Sequence, residues 1–111
     1  MRVSYSGSTG VSNPASHERL GDSLKFLYNM YYVYLLLSKK DKGFYIGYSS
    51  DLQGRFVQHQ SGLVRSTRHR RPWRLIYYEA YLNKKNAEER ERKLKQFGSA
   101  YAGLLKRLKL K

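Results

Sequence analysis

The sequence predicts a small α/β domain: a three-stranded, mainly antiparallel sheet flanked by helices, in the order β-β-α-β-α-α. Three observations carry this. Two aromatic and apolar runs flank a short polar turn that ends in Gly43. A third such run follows at Trp73–Tyr81. Segments with helix caps and stops occupy the chain after the second and third runs. The 111 residues suffice for one compact domain and not for two.

Tyr31–Ser38 (YYVYLLLS) is aromatic and β-branched at its start and apolar throughout, the pattern of a buried strand. After the turn Lys39–Gly43, Phe44–Tyr48 forms a second strand, so the two make a hairpin. Ser50 or Asp51 supplies a helix N-cap. That helix runs to about Gln60, and Gly62 stops it. Residues 63–72 form a basic loop, and Trp73–Tyr81 is the third strand. Asn83 caps a second helix that extends to about Phe97, where Gly98 and Ser99 break it. Ala100–Lys109 repeats Leu104, Leu105 and Leu108 on one face and reads as a packing helix. Residues 1–29 read as a flexible leader, Ser- and Gly-rich, with a weak helical turn through Leu20, Leu24 and Leu27. The compact domain is expected to span 30–111, with Met30 immediately before the first strand.

Composition narrows the function. The absence of cysteine excludes disulfides and zinc–thiolate sites and fits a reducing cytoplasm. No apolar run approaches the roughly 20 residues of a membrane span, and the start has no apolar signal core. Lys and Arg number 22 against 8 acids, a net charge of +14. From Met30 onward the count is 19 against 6, so the charge belongs to the domain. Solubility asks for a net charge of only about 2–8. The excess points to a polyanion, with nucleic acid ahead of an anionic membrane.

Strand alternation places Tyr32 and Tyr34 on one face of the first strand and Tyr45 and Gly47 on one face of the second. Gly47 admits a close approach by backbone or phosphate. Arg55 and His59, four apart, share a helical face beside the apolar stripe of Leu52 and Phe56. Arg forks onto phosphate oxygens, and His titrates near neutral pH. On the second helix, Glu91 falls on the stripe drawn by Ala87, Leu94 and Phe97. A carboxylate there needs a partner, and an Arg or Mg²⁺ meets that need equally well. The loop cations Arg65, Arg68, Arg70, Arg71 and Arg74 suit phosphate contact, with Trp73 buried among them.

At these residues the chain resembles the GIY-YIG nuclease family, in particular its short stand-alone bacterial branch related to the N-terminal nuclease domain of the excision-repair nuclease. Tyr32-Val33-Tyr34 stands at the first half of the name motif, and Tyr45-Ile46-Gly47 is its second half intact. Arg55 and His59 match the Arg-x3-His helix, and Ala87–Lys95 matches the helix whose Glu aligns on Glu91. Tyr32 replaces the first Gly of the motif, and the Asn that follows the metal-binding helix in some members has no convincing equivalent. The resemblance implies endonuclease chemistry with one Mg²⁺ or Mn²⁺ on Glu91, Arg55 on the phosphate, and Tyr34 or Tyr45 as the base. A nearby cation or the metal would have to lower that tyrosine's pKa, with His59 and Arg55 as the sources. DNA is expected ahead of RNA, with low sequence specificity, and a monomer is compatible with a single domain. The alternative is a nucleic-acid-binding module that cuts weakly or not at all.

Overall fold

The computed structural model describes residues 29–110. The expected leader therefore lies outside the described residues except for Asn29. The order of elements is the one expected. Strand β1 spans Tyr31–Ser38, β2 Phe44–Ser49 and β3 Trp73–Tyr81. Helix α1 spans Leu52–Ser61, α2 Lys84–Leu94 and α3 Ser99–Arg107. All strand pairings are antiparallel in the order β2-β1-β3, so the most apolar strand is the central one. A bulge between Leu35 and Leu36 shifts the β1–β3 register.

Alternation along β1 divides the core in two. Val33 and Leu35 face one side, where Ile46, Tyr77, Ala87, Leu94, Leu104 and Leu105 join them under α2 and α3. Tyr34 and Leu36 face the other, where Trp73, Tyr45, Leu52 and Phe56 join them under α1. The sheet is thus the middle of three layers. Among the described residues no helix is long and apolar enough to cross a membrane.

The helix ends follow local chemistry. The Asp51 side chain accepts from the Gly54 N–H at 3.1 Å, which settles the N-cap of α1. Gly62 closes that helix at φ 83°, the left-handed conformation that glycine adopts without a Cβ penalty. Asn83 caps α2 by accepting from Lys85 and Asn86. One boundary differs from expectation. Helix α2 ends at Leu94, and Phe97 lies beyond it in a left-handed turn at φ 56°. Phe97 is consequently 65% exposed, and it meets Tyr101 edge-on instead of extending the buried stripe. The basic loop also holds a short 3₁₀ turn at Arg68–Arg70.

Candidate active site

The site is built on the α1 side of the sheet. Tyr34 pairs directly with Gly47 across the β1–β2 ladder, and both are buried. A Cβ at position 47 would sit 2.3 Å from the Tyr34 Cζ and hydroxyl oxygen. The bare Cα of Gly47 is therefore what lets the Tyr34 ring pack this close to β2. The group that approaches Gly47 closely is thus the Tyr34 ring.

The Tyr34 hydroxyl lies 2.8 Å from His59 Nε2, and His59 Nδ1 lies 2.8 Å from Thr67 Oγ1. His59 and Thr67 are both fully buried. Helix α1 supplies the histidine because its Leu52 and Phe56 dock on the sheet and turn the same face inward. Trp73 fixes the loop that supplies Thr67. Its indole N–H donates to the Thr67 carbonyl at 3.1 Å, and its backbone N–H donates to Gln60 Oε1 at 2.7 Å. Trp73 is buried, as expected.

Electrostatics make this pair neutral. Burial, followed by the charge of Arg55, lowers the His59 pKa to about 4. Burial, followed by the neighbouring Tyr45, raises Tyr34 to about 12, although the Arg55 guanidinium beside it acts in the opposite direction. The expected lowering of a tyrosine pKa by Arg55 and His59 is thus reversed at Tyr34. Desolvation outweighs the single cation, and a neutral His59 contributes no charge.

Tyr45 stands between groups. Its ring centroid is 5.2 Å from that of His59 and 6.0 Å from that of Trp73, both inclined. Lys95 Nζ lies 5.8 Å from the same ring. Lys95 also bonds Glu91 at 2.9 Å, one helical turn back on α2. Since β2 is an edge strand, α2 brings this pair to the margin of the α1-side face, where the Glu91 charge reaches Tyr34 and raises its pKa further. Glu91 is half-buried, with 23% of its side chain exposed. Its partner is Lys95, which sequence reasoning had not considered.

The donor set limits which ion fits. Among the described residues no three His, Asp or Glu side chains gather where they could hold a metal. An ion caged by protein ligands does not fit. Mg²⁺ does fit, because it commonly keeps several waters and takes one or two carboxylates with phosphate oxygens. Glu91, paired with Lys95, is the carboxylate at the margin of this face.

The basic loop divides. Arg70 grips Asp41 of the β1–β2 turn at 2.6 Å and lies 4.8 Å from the Trp73 ring centroid. Arg71 donates to the Arg68 carbonyl at 2.8 Å. These two guanidinium groups hold the loop together, and Arg71 is still exposed. Arg65, Arg68 and Arg74 are exposed. Lys40 Nζ donates to the His69 carbonyl at 3.0 Å and ties the turn to the same surface.

The other face holds an acid that sequence reasoning missed. Glu79 is buried on β3, where it accepts from Tyr77 at 2.6 Å, from Tyr81, and from Arg90 at 2.9 Å. Burial pushes its carboxyl up, yet the bonds from Arg90, Tyr77 and Tyr81 hold it below the ordinary value. The sequence signal was available: Tyr77, Glu79 and Tyr81 alternate onto one strand face.

Comparison with known proteins agrees with this arrangement. A model of the GIY-YIG catalytic domain matches residues 30–102. A UPF0213 protein of Clostridium perfringens is 38% identical over 68 residues, 60% of this chain and 72% of that protein. UPF0213 proteins of Staphylococcus saprophyticus and Oceanobacillus iheyensis are 35% and 34% identical, over 60% of this chain and 82% and 77% of theirs. No solved structure matches. GIY-YIG domains are in general nuclease domains, and nucleic acid is their substrate. The fold, the placement of the motif residues and these matches together establish that the chain belongs to the GIY-YIG family.

Proposed function

We propose that this protein is a metal-dependent endonuclease of the cytoplasm that hydrolyses phosphodiester bonds, in DNA ahead of RNA, with low sequence specificity. The observation that carries the reading is the Tyr34 hydroxyl held between the acceptor His59 and the cation Arg55, with Glu91 at the margin of the same face. Glu91 would hold Mg²⁺ or Mn²⁺. When bound, the ion supplies polarisation of the scissile phosphate and stabilisation of the leaving 3′ oxygen.

The chain's own residues do the rest. Arg55 binds the phosphate and offsets charge that develops on its oxygens. Its present partner, Gln58 Oε1 at 2.9 Å, is on the exposed helix surface and is readily exchanged for a phosphate oxygen. Tyr34 takes the proton of the attacking water as it passes its own to His59 Nε2, so charge is not stranded on a buried phenol. Water adds to phosphorus, the bond to the 3′ oxygen breaks, and that oxygen takes a proton from solvent. Tyr45 orients groups at the same face. Arg65, Arg68 and Arg74 supply backbone contacts without base readout, which makes affinity strongly salt-dependent.

A second reading, a binding module that does not cut, is favoured by one observation: Lys95 already occupies the Glu91 carboxylate. Plasmid, branched duplex, single-stranded DNA and RNA incubated with Mg²⁺ or Mn²⁺ separate the two. Cutting by wild type that Glu91→Ala abolishes supports the nuclease. Binding at low salt with no cutting of any substrate supports the module.

A further inference from the structure

The hydrogen bonds behind Tyr34 form a line whose two ends each allow only one role. At the far end, Thr67 Oγ1 lies 3.4 Å from the Val64 carbonyl, which can only accept. At the near end, the Arg55 guanidinium beside the Tyr34 oxygen can only donate. Between them run Tyr34 Oη to His59 Nε2 and His59 Nδ1 to Thr67 Oγ1, each 2.8 Å. If the Thr67 hydroxyl donates to the carbonyl, it must accept from His59 Nδ1–H. Nε2 is then bare and accepts the Tyr34 proton. The reverse order would give the Tyr34 oxygen two donors and leave its own proton to seek another acceptor; the Val64 carbonyl, which also accepts the Thr67 and Arg68 N–H at 3.1 and 3.0 Å, would lose only a third donor, so the Tyr34 end decides. Every buried side-chain polar atom among the described residues has a partner.

We infer that Thr67 is a positioning residue: its hydroxyl holds His59 in the Nδ1–H tautomer, so that Nε2 faces Tyr34 as a proton acceptor. Thr67 is fully buried, its hydroxyl bonds His59, and it acts on Tyr34 through the imidazole. Its position is set by the 3₁₀ turn it precedes and by Trp73, whose indole binds the Thr67 carbonyl and leaves the hydroxyl for His59. The loop that carries the exposed arginines thereby also sets the proton path. The tautomer follows from geometry; its consequence for turnover rests on the nuclease reading above.

Long-range ¹H–¹⁵N correlation of the imidazoles in labelled full-length protein tests this, with the His59 signal identified by its loss in His59→Gln. Wild type and Thr67→Ser should both show Nδ1 protonated and Nε2 bare. Thr67→Val, which keeps the shape and loses the hydroxyl, should lose that pattern. In cleavage of the preferred substrate, Thr67→Val should lower kcat by about 10–100-fold, the range typical when a ligand-orienting partner is removed. KM should stay within about twofold, and Thr67→Ser should restore the rate. A protonated Nε2 in wild type overturns the inference, as does a Thr67→Val protein that keeps the Nδ1–H tautomer. Loss of the tautomer with unchanged kcat overturns the positioning role. If Thr67→Val does not fold, the wild-type and Thr67→Ser spectra still decide. If nothing is cut, the nuclease reading fails, and the spectrum judges the tautomer separately.

Discussion

On the α2–α3 side of the sheet Glu79 is buried as a charge; on the α1 side His59 is buried as a neutral ring. Glu79 is surrounded by donors that match its charge, and Arg90 beside it keeps 25% of its side chain exposed. Nothing in that network needs to move for it to be satisfied. His59 is satisfied by a line of shared protons that ends at a tyrosine beside an arginine. A proton taken up at Tyr34 can pass to His59 Nε2, which leaves the phenol neutral and puts the charge on the imidazole. The difference teaches that a buried acid or base does not by itself mark a site. What marks one is a connection to groups that a substrate can reach.

Breaking each network should therefore give different damage. The largest effect is expected from Glu79→Ala, which leaves Arg90 without its buried partner and should cost about 3–5 kcal/mol. Urea titration measures the loss, and cleavage per folded molecule should stay at the wild-type level. Glu91→Gln should do the opposite. Its pair with Lys95 lies between half-exposed residues four apart and is worth less than about 1 kcal/mol. Cleavage, read in single-turnover assays, should fall by about 10²–10³, as when one electrostatic stabiliser is removed.

Acid should distinguish the faces next. The folded state holds His59 at about 4 against an ordinary 6.5, so it resists protonation and the unfolded chain takes the proton first. This contribution is whole above pH 6.5 and is lost as pH falls toward 4, roughly 3 kcal/mol in all. Glu79, held below its ordinary 4.5, gives up its share only as pH falls below that value. Denaturation at pH 7 and at pH 5 should show the first loss in wild type and not in His59→Gln. The smallest effect is expected from Gly47→Ala. The new methyl must displace the Tyr34 ring and should cost about 1–3 kcal/mol, measured as a lower thermal midpoint.

Much of the α1-side face could be read from sequence because its signals are periodic. Alternation placed Tyr34 and Tyr45 correctly, and the four-residue step placed Arg55 beside His59. Glu91 was read through a stripe that assumed α2 continues to Phe97. The helix stops three residues earlier, so the stripe is shorter and Glu91 sits at its edge, half-buried and paired with Lys95. Thr67 carried no local signal, since its role depends on how a basic loop closes over α1. Arg70 and Arg71 looked like their neighbours in the loop. Only the approach of Asp41 from another turn, and of the Arg68 carbonyl, distinguishes them. Glu79 was overlooked because its partner Arg90 is eleven residues away on a helix of another layer.

The most direct test of the central claim is cleavage by Glu91→Gln and Glu79→Gln on the same substrate with Mg²⁺, each corrected for its folded fraction. The account predicts that Glu91→Gln loses cutting while remaining as stable as wild type, and that Glu79→Gln cuts normally while unfolding more easily. Cutting that survives Glu91→Gln and vanishes in folded Glu79→Gln would place the chemistry on the other face and contradict it.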